Sequence, residues 1–294
     1  MQSPFLLENE SAYQAWRSRK LENYPTRAAQ LIVEVGDPRT PTKSEHEALL
    51  KVCRKTNMAI YAGKITNPDK SIPRLLGQQL GLYRLDNNML ADEDAVTSLK
   101  VVESEPRQGY IPYTNKPIKW HTDGYYNTAD RQIRGMILHC VQSAAQGGEN
   151  AVMDHEIAYL LMRDENPDLV RAFMQPEAMT IPARVEEDSV ARPDAVGPVF
   201  SVNPESGDLH MRYTARTRSI SWQQDVATLA AVAFLEKLLA SDSPYIYRAR
   251  LEPGMGLVCN NILHDRAGFN DDDSHQRLLF RARYFDRISG TTLG

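Results

Sequence analysis

Two histidines and an aspartate carry the clearest chemical signal in this chain. His121 and Asp123 are separated by one residue in Trp120-His121-Thr122-Asp123, and His264 lies far downstream. On an extended strand, residues two apart point to the same face, so His121 and Asp123 can reach one ion together. His264 is the candidate third ligand, at the end of a strand-like run over residues 256–263. Two imidazoles and one carboxylate on one face of a metal suit ferrous iron in oxygen chemistry. They leave three positions open, two for a bidentate co-substrate and one for dioxygen. An HxD tripeptide alone recurs by chance in many proteins and carries little. The same donors also suit a zinc hydrolase, or a cupin-like metal-binding protein without turnover.

Shortly after His264 comes Arg277-Leu278-Leu279-Phe280-Arg281-Ala282-Arg283. On a strand, Arg277, Arg281 and Arg283 face one way while Leu278 and Phe280 face the other. A guanidinium fork matches a carboxylate bidentately, so this row suits capture of a carboxylate co-substrate, which a storage or sensor site does not need. The bland alternative is a basic edge strand that blocks aggregation. Aromatic residues crowd the HxD: Tyr110, Tyr113, Trp120, Tyr125 and Tyr126. They would either cage a cation through their ring faces or pack the edge of a β core. Arg212, Arg216 and Arg218 form a second basic group, suited to an acidic substrate or to a solvated loop.

The elements that must position these side chains follow from periodicity and turn signals. Residues 133–142 are apolar on both faces, as in a doubly buried strand, and Gln146-Gly147-Gly148 breaks it. Residues 245–251, 256–263 and 277–285 read as strands, the first two joined by Glu252-Pro253-Gly254. Many short strands after residue 110 predict a jelly roll or a similar closed β architecture. The earlier region is mixed. It holds a polar helix over 11–23, a strand over 29–35 stopped by Gly36-Asp37-Pro38, a helix through about Arg54 with N-cap candidates in Thr42-Lys43-Ser44-Glu45, a strand over 58–61 and a helix over 72–82. Residues 154–162 suit a short helix. Residues 222–239 give the clearest one, with Val226, Leu229, Val232, Leu235 and Leu239 on one face. The expected fold class is mostly β with flanking helices. One domain would span residues 1–294, with residues 1–109 packed on the core and residues 110–285 carrying the site.

Composition narrows the classes. Apolar and charged fractions of 42% and 24% are those of an ordinary globular protein. A net charge of −4 argues against nucleic acid as a partner. No apolar run approaches the roughly 20 residues of a membrane helix, and residues 1–10 lack a secretory pattern. Cys53, Cys140 and Cys259 are odd in number and in no CxxC pair, which points to a reducing, cytoplasmic setting. A homo-oligomer is compatible with all of this. His155-Glu156 starts an HExxH pattern, but Tyr159 stands where the second histidine belongs. His139 reads as a core residue, and His46, His210 and His275 as surface residues. Asp271-Asp272-Asp273 lacks the EF-hand pattern, and no GxGxxG, P-loop or GxSxG is present.

His121-Thr122-Asp123, Gly147-Gly148-Glu149-Asn150, Asn261-Ile262-Leu263-His264-Asp265-Arg266, Arg277 and Arg281 occur in the order of the taurine dioxygenase-like (TauD/TfdA) family. The chain resembles that family, which includes the γ-butyrobetaine hydroxylase type, over residues 110–285. The resemblance implies a double-stranded β-helix with Fe(II) held by His121, Asp123 and His264, and with 2-oxoglutarate and dioxygen as co-substrates. It implies that Arg277 holds the distal carboxylate of 2-oxoglutarate and that Arg281 reaches an anionic group of a small-molecule substrate. Tyr125, Tyr126 and Arg212 are further candidates for substrate contact. Asn150 stands where the family usually has a threonine that touches 2-oxoglutarate, and Asp265 replaces a common glycine. Asp123 disfavours the related halogenases, which lose this carboxylate. The implied reaction is hydroxylation or desaturation of a small polar, anionic or zwitterionic metabolite, with oxidative C–N or C–S cleavage as the alternative.

Overall fold

Thr42 shows how local rules set the frame. Its hydroxyl accepts from the Glu45 N–H, while the Glu45 carboxylate accepts from the Thr42 N–H at 2.6 Å. This reciprocal cap starts the helix Lys43–Thr56. Asn57 ends it in the left-handed conformation, φ 57°. The helix therefore joins Ile32–Val35 to Met58–Gly63, which lie parallel. These elements belong to a computed structural model that describes residues 3–87, 92, 94–102, 109–186, 189–218 and 220–293.

Two sheets organise the site. The larger has six strands in the order Ile32–Val35, Met58–Gly63, Met255–Cys259, Gly135–Gln142, Leu278–Tyr284, Thr97–Leu99. The smaller has four, Tyr247–Ala249, Asn150–Met153, Leu263–Arg266 and Ile118–His121. Along the chain from Ile118 the strands of these two sheets alternate, except that Asn150–Met153 is followed by its own sheet neighbour Tyr247–Ala249. Met136, Leu138, Cys140, Leu257 and Leu279 from the larger sheet share one apolar cluster with Val152, Met153 and Leu263 from the smaller. The opposite face of the larger sheet, with Tyr61, Ile137, Val141, Val258, Phe280 and Ala282, packs on Leu49, Leu50 and Cys53 of the helix Lys43–Thr56 and on Leu76. A strand buried on both faces must be apolar throughout, which explains Gly135–Gln142. The result is mixed sheets with several helices.

Between Asn150–Met153 and its antiparallel partner Tyr247–Ala249 the chain makes a long excursion through three helices and short hairpins. Its longest helix, Val226–Leu239, departs from the expected face. Val226 is 87% exposed and Leu229 44%, while Thr228, Ala231, Val232, Leu235 and Leu239 are buried. The helix starts only after Asp225, whose carboxylate accepts from the Thr228 N–H at 2.9 Å, and Ser221–Trp222 is a strand pairing with Met179–Ile181. The excursion also returns to the smaller sheet. Thr122 and Tyr213 exchange hydrogen bonds, and Ala215 N–H donates to the Trp120 carbonyl.

Candidate metal centre

The run expected as one strand over 256–263 is two strands in different sheets. Met255–Cys259 ends in the larger sheet, Asn260 and Asn261 turn the chain, and Leu263–Arg266 enters the smaller. Asn261 takes φ 51° at this corner, a conformation that asparagine tolerates better than most residues. The turn places His264 directly opposite His121 in antiparallel register. Their ring centroids are 4.2 Å apart.

Asp123 comes from a turn and not, as expected, from the extended strand, which ends at His121. Gly124 permits the bend: its φ is 67°, and a Cβ would fall 2.4 Å from Ile133 Cγ1. The Asn261 side chain then fixes Asp123. Asn261 Oδ1 accepts from the Asp123 N–H at 2.7 Å, while its Nδ2 donates to the carbonyls of Asp123 and Ile133 at 2.9 and 2.7 Å. With this clamp, one ligand atom each from His121, Asp123 and His264 lie within 4.8 Å of one another. In the sequence Asn261 enters only as the start of the motif that ends at Arg266, with no role of its own; the Asn260-Asn261 pair just before His264 is the signal that could have found it.

The donors are set up for a cation. Nδ1 of His121 is 2.9 Å from the Lys119 carbonyl, and Nδ1 of His264 is 3.0 Å from that of Ile262. Each pairing puts the proton on Nδ1 and leaves Nε2 with its lone pair free. Burial, and next the charge His264 would carry, hold the His121 imidazole down to about 3, so it is neutral at pH 7. Burial alone would raise the Asp123 carboxyl, but Arg281, Arg283 and the two imidazoles outweigh it and keep it well below the usual range. Asp123 Oδ1 accepts from Arg281 Nη1 at 3.2 Å, whereas Oδ2 is buried with no hydrogen-bond partner. A carboxylate with one oxygen unpartnered, close to two imidazoles whose Nε2 lone pairs are free, fits a divalent metal.

The other candidate residues divide. Arg277 and Asn150 line one small cavity together with Ser143, Gly148, Arg250 and Leu279. Among the described residues no carboxylate lies within ion-pair distance of the Arg277 guanidinium, and burial lowers its pKa to about 10. Gly148 takes φ 79°, and a Cβ there would press to 3.4 Å from Arg277 Nε. Asn150 Nδ2 donates to the Asp265 carbonyl at 2.6 Å, and Asp265 Oδ1 accepts from the Ala151 N–H at 2.7 Å. Asp265 thus locks the strand of His264 to that of Asn150. Tyr125 meets His121 edge-on, with centroids 6.4 Å apart and the Arg216 guanidinium 5.9 Å from its ring. Tyr126 accepts from Arg283 Nη1 at 2.8 Å, and Arg283 also pairs with the buried Asp86.

Two readings need correction. Arg212 is buried, and its guanidinium donates to the carbonyls of Met179, Ala195 and Gly197. It ties the excursion together and has no reach to spare for a substrate. His210 is half-buried and not a fully solvated surface residue; desolvation, then His155 and Arg134, hold its imidazole down to about 3. His139, by contrast, is the core residue expected.

Comparison with known proteins agrees with this geometry. The family model described as "Taurine catabolism dioxygenase TauD, TfdA family" matches residues 74–283. A uridine-5'-phosphate dioxygenase from a Streptomyces species is 28% identical over 202 residues, covering 65% of this chain and 70% of that protein. An asparagine oxygenase solved with Fe(II), 2S,3S-3-hydroxyasparagine and succinate shares the fold at TM-score 0.56 and 15% identity, over 87% of each chain. PvcB, an Fe, alpha-ketoglutarate dependent oxygenase, does so at TM-score 0.56 and 16% identity, over 87% of this chain and 85% of that one. The chain therefore belongs to the TauD/TfdA family and is a non-haem iron, 2-oxoglutarate-dependent dioxygenase.

Proposed function

We propose that this enzyme hydroxylates or desaturates a small anionic or zwitterionic metabolite, with 2-oxoglutarate converted to succinate. The observation that carries the proposal is the convergence of His121, Asp123 and His264, with one oxygen of the buried Asp123 carboxylate unpartnered. Ferrous iron bound there would supply activation of dioxygen. The chain's own residues hold the three donors, fix the tautomer of both imidazoles through their Nδ1 partners, and set the buried Tyr125 ring edge-on to His121. In this reading the two sheets are the halves of a double-stranded β-helix, and Arg277 and Asn150 receive the distal end of 2-oxoglutarate.

The charge near the iron ligands supports the substrate class. Arg281 borders Asp123, and the exposed Arg216 stands over Tyr125 without a carboxylate partner among the described residues. Guanidinium groups already lie near the rings of Tyr125 and Tyr126. This surrounding favours a negative group over a quaternary ammonium ion. The curated relative acts on a nucleotide phosphate by its name, and the asparagine oxygenase was solved with a hydroxylated amino acid. Both compounds carry anionic groups. Oxidative C–N or C–S cleavage would begin with the same hydrogen abstraction and differ only in what the hydroxylated product does next.

The test is succinate release from 2-oxoglutarate with Fe(II) and ascorbate, across nucleoside 5'-monophosphates, amino acids, sulfonates, phosphonates and their neutral analogues. Turnover should be stimulated by anionic or zwitterionic compounds, with mass spectrometry showing a gain of oxygen, a loss of two hydrogens or cleavage. Stimulation by neutral compounds alone would overturn the substrate class. No succinate from folded, iron-loaded protein across the panel would favour metal binding without turnover.

A further inference from the structure

The cavity that holds Arg277 and Asn150 has a second arginine in its wall. Arg250 directly follows Tyr247–Ala249, whose Ala249 is the register partner of Asn150. Its side chain lines the same cavity as Arg277, Ser143 and Gly148. Arg250 Nη2 donates to the Ala144 carbonyl, and its Nε lies 3.2 Å from Glu252 Oε1. The other oxygen of Glu252 accepts from the Ser143 hydroxyl at 3.0 Å. The guanidinium is therefore held at two points, which removes much of the freedom a long side chain would lose on binding a ligand.

Charge balance sets the ligand class. Two guanidinium groups border the cavity, and Glu252, half exposed, is the acid that Arg250 touches. Asp271 accepts from the Arg277 backbone N–H at 3.0 Å, but among the described residues no carboxylate forms an ion pair with the Arg277 guanidinium, and none lines the cavity. A carboxylate has two oxygens and about four lone-pair sites, more than one fork fills. Resting on the co-substrate reading above, we infer that Arg250 is a second anchor for the distal carboxylate of 2-oxoglutarate, positioned by Ala144, Ser143 and Glu252 and acting together with Arg277.

The test measures binding without turnover. Wild type, Arg250→Gln, Arg250→Lys and Arg277→Gln are loaded with Mn(II) and titrated calorimetrically under anaerobic conditions with two ligands. One is 2-oxoglutarate; the other is 2-oxopentanoate, of the same length but without the distal carboxylate. Arg250→Gln should weaken 2-oxoglutarate by about 10-fold, equal to ~1.4 kcal/mol, and change 2-oxopentanoate by less than about 2-fold. Arg250→Lys should recover part of the loss. Equal weakening of both ligands would mean a merely structural role, and an unchanged 2-oxoglutarate affinity would mean no contact; either overturns the assignment of Arg250. An unchanged affinity in Arg277→Gln would overturn the co-substrate reading itself. Glutamine can still donate to Ala144, and should Arg250→Gln fail to fold, the same two-ligand comparison on Arg250→Lys decides the point: a selective loss supports the anchor, an equal loss or none overturns it.

Discussion

Two clusters of buried charge in this molecule obey opposite rules. At the metal centre Asp123 Oδ2 has no partner, and the two free imidazole nitrogens face the same point. At the far end of Asn150–Met153, Lys20 lies between Asp154 and Glu156, with Nζ 2.7 and 2.6 Å from their carboxylates. There almost every valence is filled. Asp154 also accepts from Tyr24, Asn57 and the Glu156 N–H, and Arg287 reaches Asn57, Glu156 and Asp208. Burial would lower the lysine, but its two carboxylates overcome this and keep it above its ordinary value. The contrast teaches that buried charge by itself does not mark a working site. A buried carboxylate left incomplete beside two converging imidazoles does, because an unmet polar group costs stability unless a ligand completes it; lone unpartnered atoms, as on Arg212 and Arg287, do not.

The comparison predicts a double dissociation. His264→Ala should abolish turnover and weaken metal binding by more than the roughly 10- to 100-fold typical of losing an outer partner. It should leave the stability of the metal-free protein nearly unchanged, since no intramolecular ion pair is lost. Lys20→Ala should do the reverse. It strands two buried carboxylates and should cost ~3–5 kcal/mol in denaturant unfolding, with metal affinity per folded molecule unaltered. Metal titration and urea melts on both variants decide the matter. If Lys20→Ala weakened metal binding as much as His264→Ala, the two clusters would be one coupled unit and the contrast would fail.

The two clusters also differed in how plainly the sequence announced them. His121, Asp123 and His264 are rare residue types in a recognisable order, and a metal set needs only their identity and a fold that joins distant strands. Arg277 and Arg281 were legible by strand alternation, which held because Leu279, on the same face, is buried against the strand carrying Met136 and Leu138. Arg212 misled because a basic residue in a polar stretch looks solvated, yet three carbonyls of two neighbouring segments surround it. The Lys20 cluster was invisible: its members come from residues 20, 57, 154, 156, 208 and 287, and no local pattern links them. The split of residues 256–263 was missed because its second strand changes sheets at a corner that only the left-handed Asn261 reveals.

Asn261 sharpens the comparison from within the metal centre, because it is fully satisfied yet serves an unsatisfied neighbour. Asn261→Ala removes three hydrogen bonds to Asp123 and Ile133 and places a Cβ-bearing residue at φ 51° with no local compensation. Metal affinity should fall about 10- to 100-fold, and stability by roughly 1–3 kcal/mol. Asn261→Gly relieves the backbone without restoring the clamp. It should therefore regain part of the stability and none of the metal affinity. Recovery of both in the glycine variant would show that the turn, and not the amide, positions Asp123.

The smallest effect concerns desolvated histidines that belong to neither cluster. His139 lies inside Gly135–Gln142 with Nδ1 3.0 Å from the Tyr61 hydroxyl and Nε2 buried without a partner. Burial pushes its imidazole down to about 4, and His210 is held down to about 3. At pH 7 both are neutral in the folded and the unfolded chain. Below about pH 6.5 the unfolded chain takes up protons that the folded one refuses. Stability therefore falls with pH until the folded values near 4 and 3 are reached, and carboxylates add their own loss only toward the lower end. Above about pH 5 the histidines should dominate the slope. His139→Gln should flatten it in urea melts of the metal-free protein, and His210→Gln should do so independently, since the two lie on different elements. An unaltered slope in both variants would mean that water reaches these rings in the folded state, and that their burial is less complete than that of the Lys20 cluster.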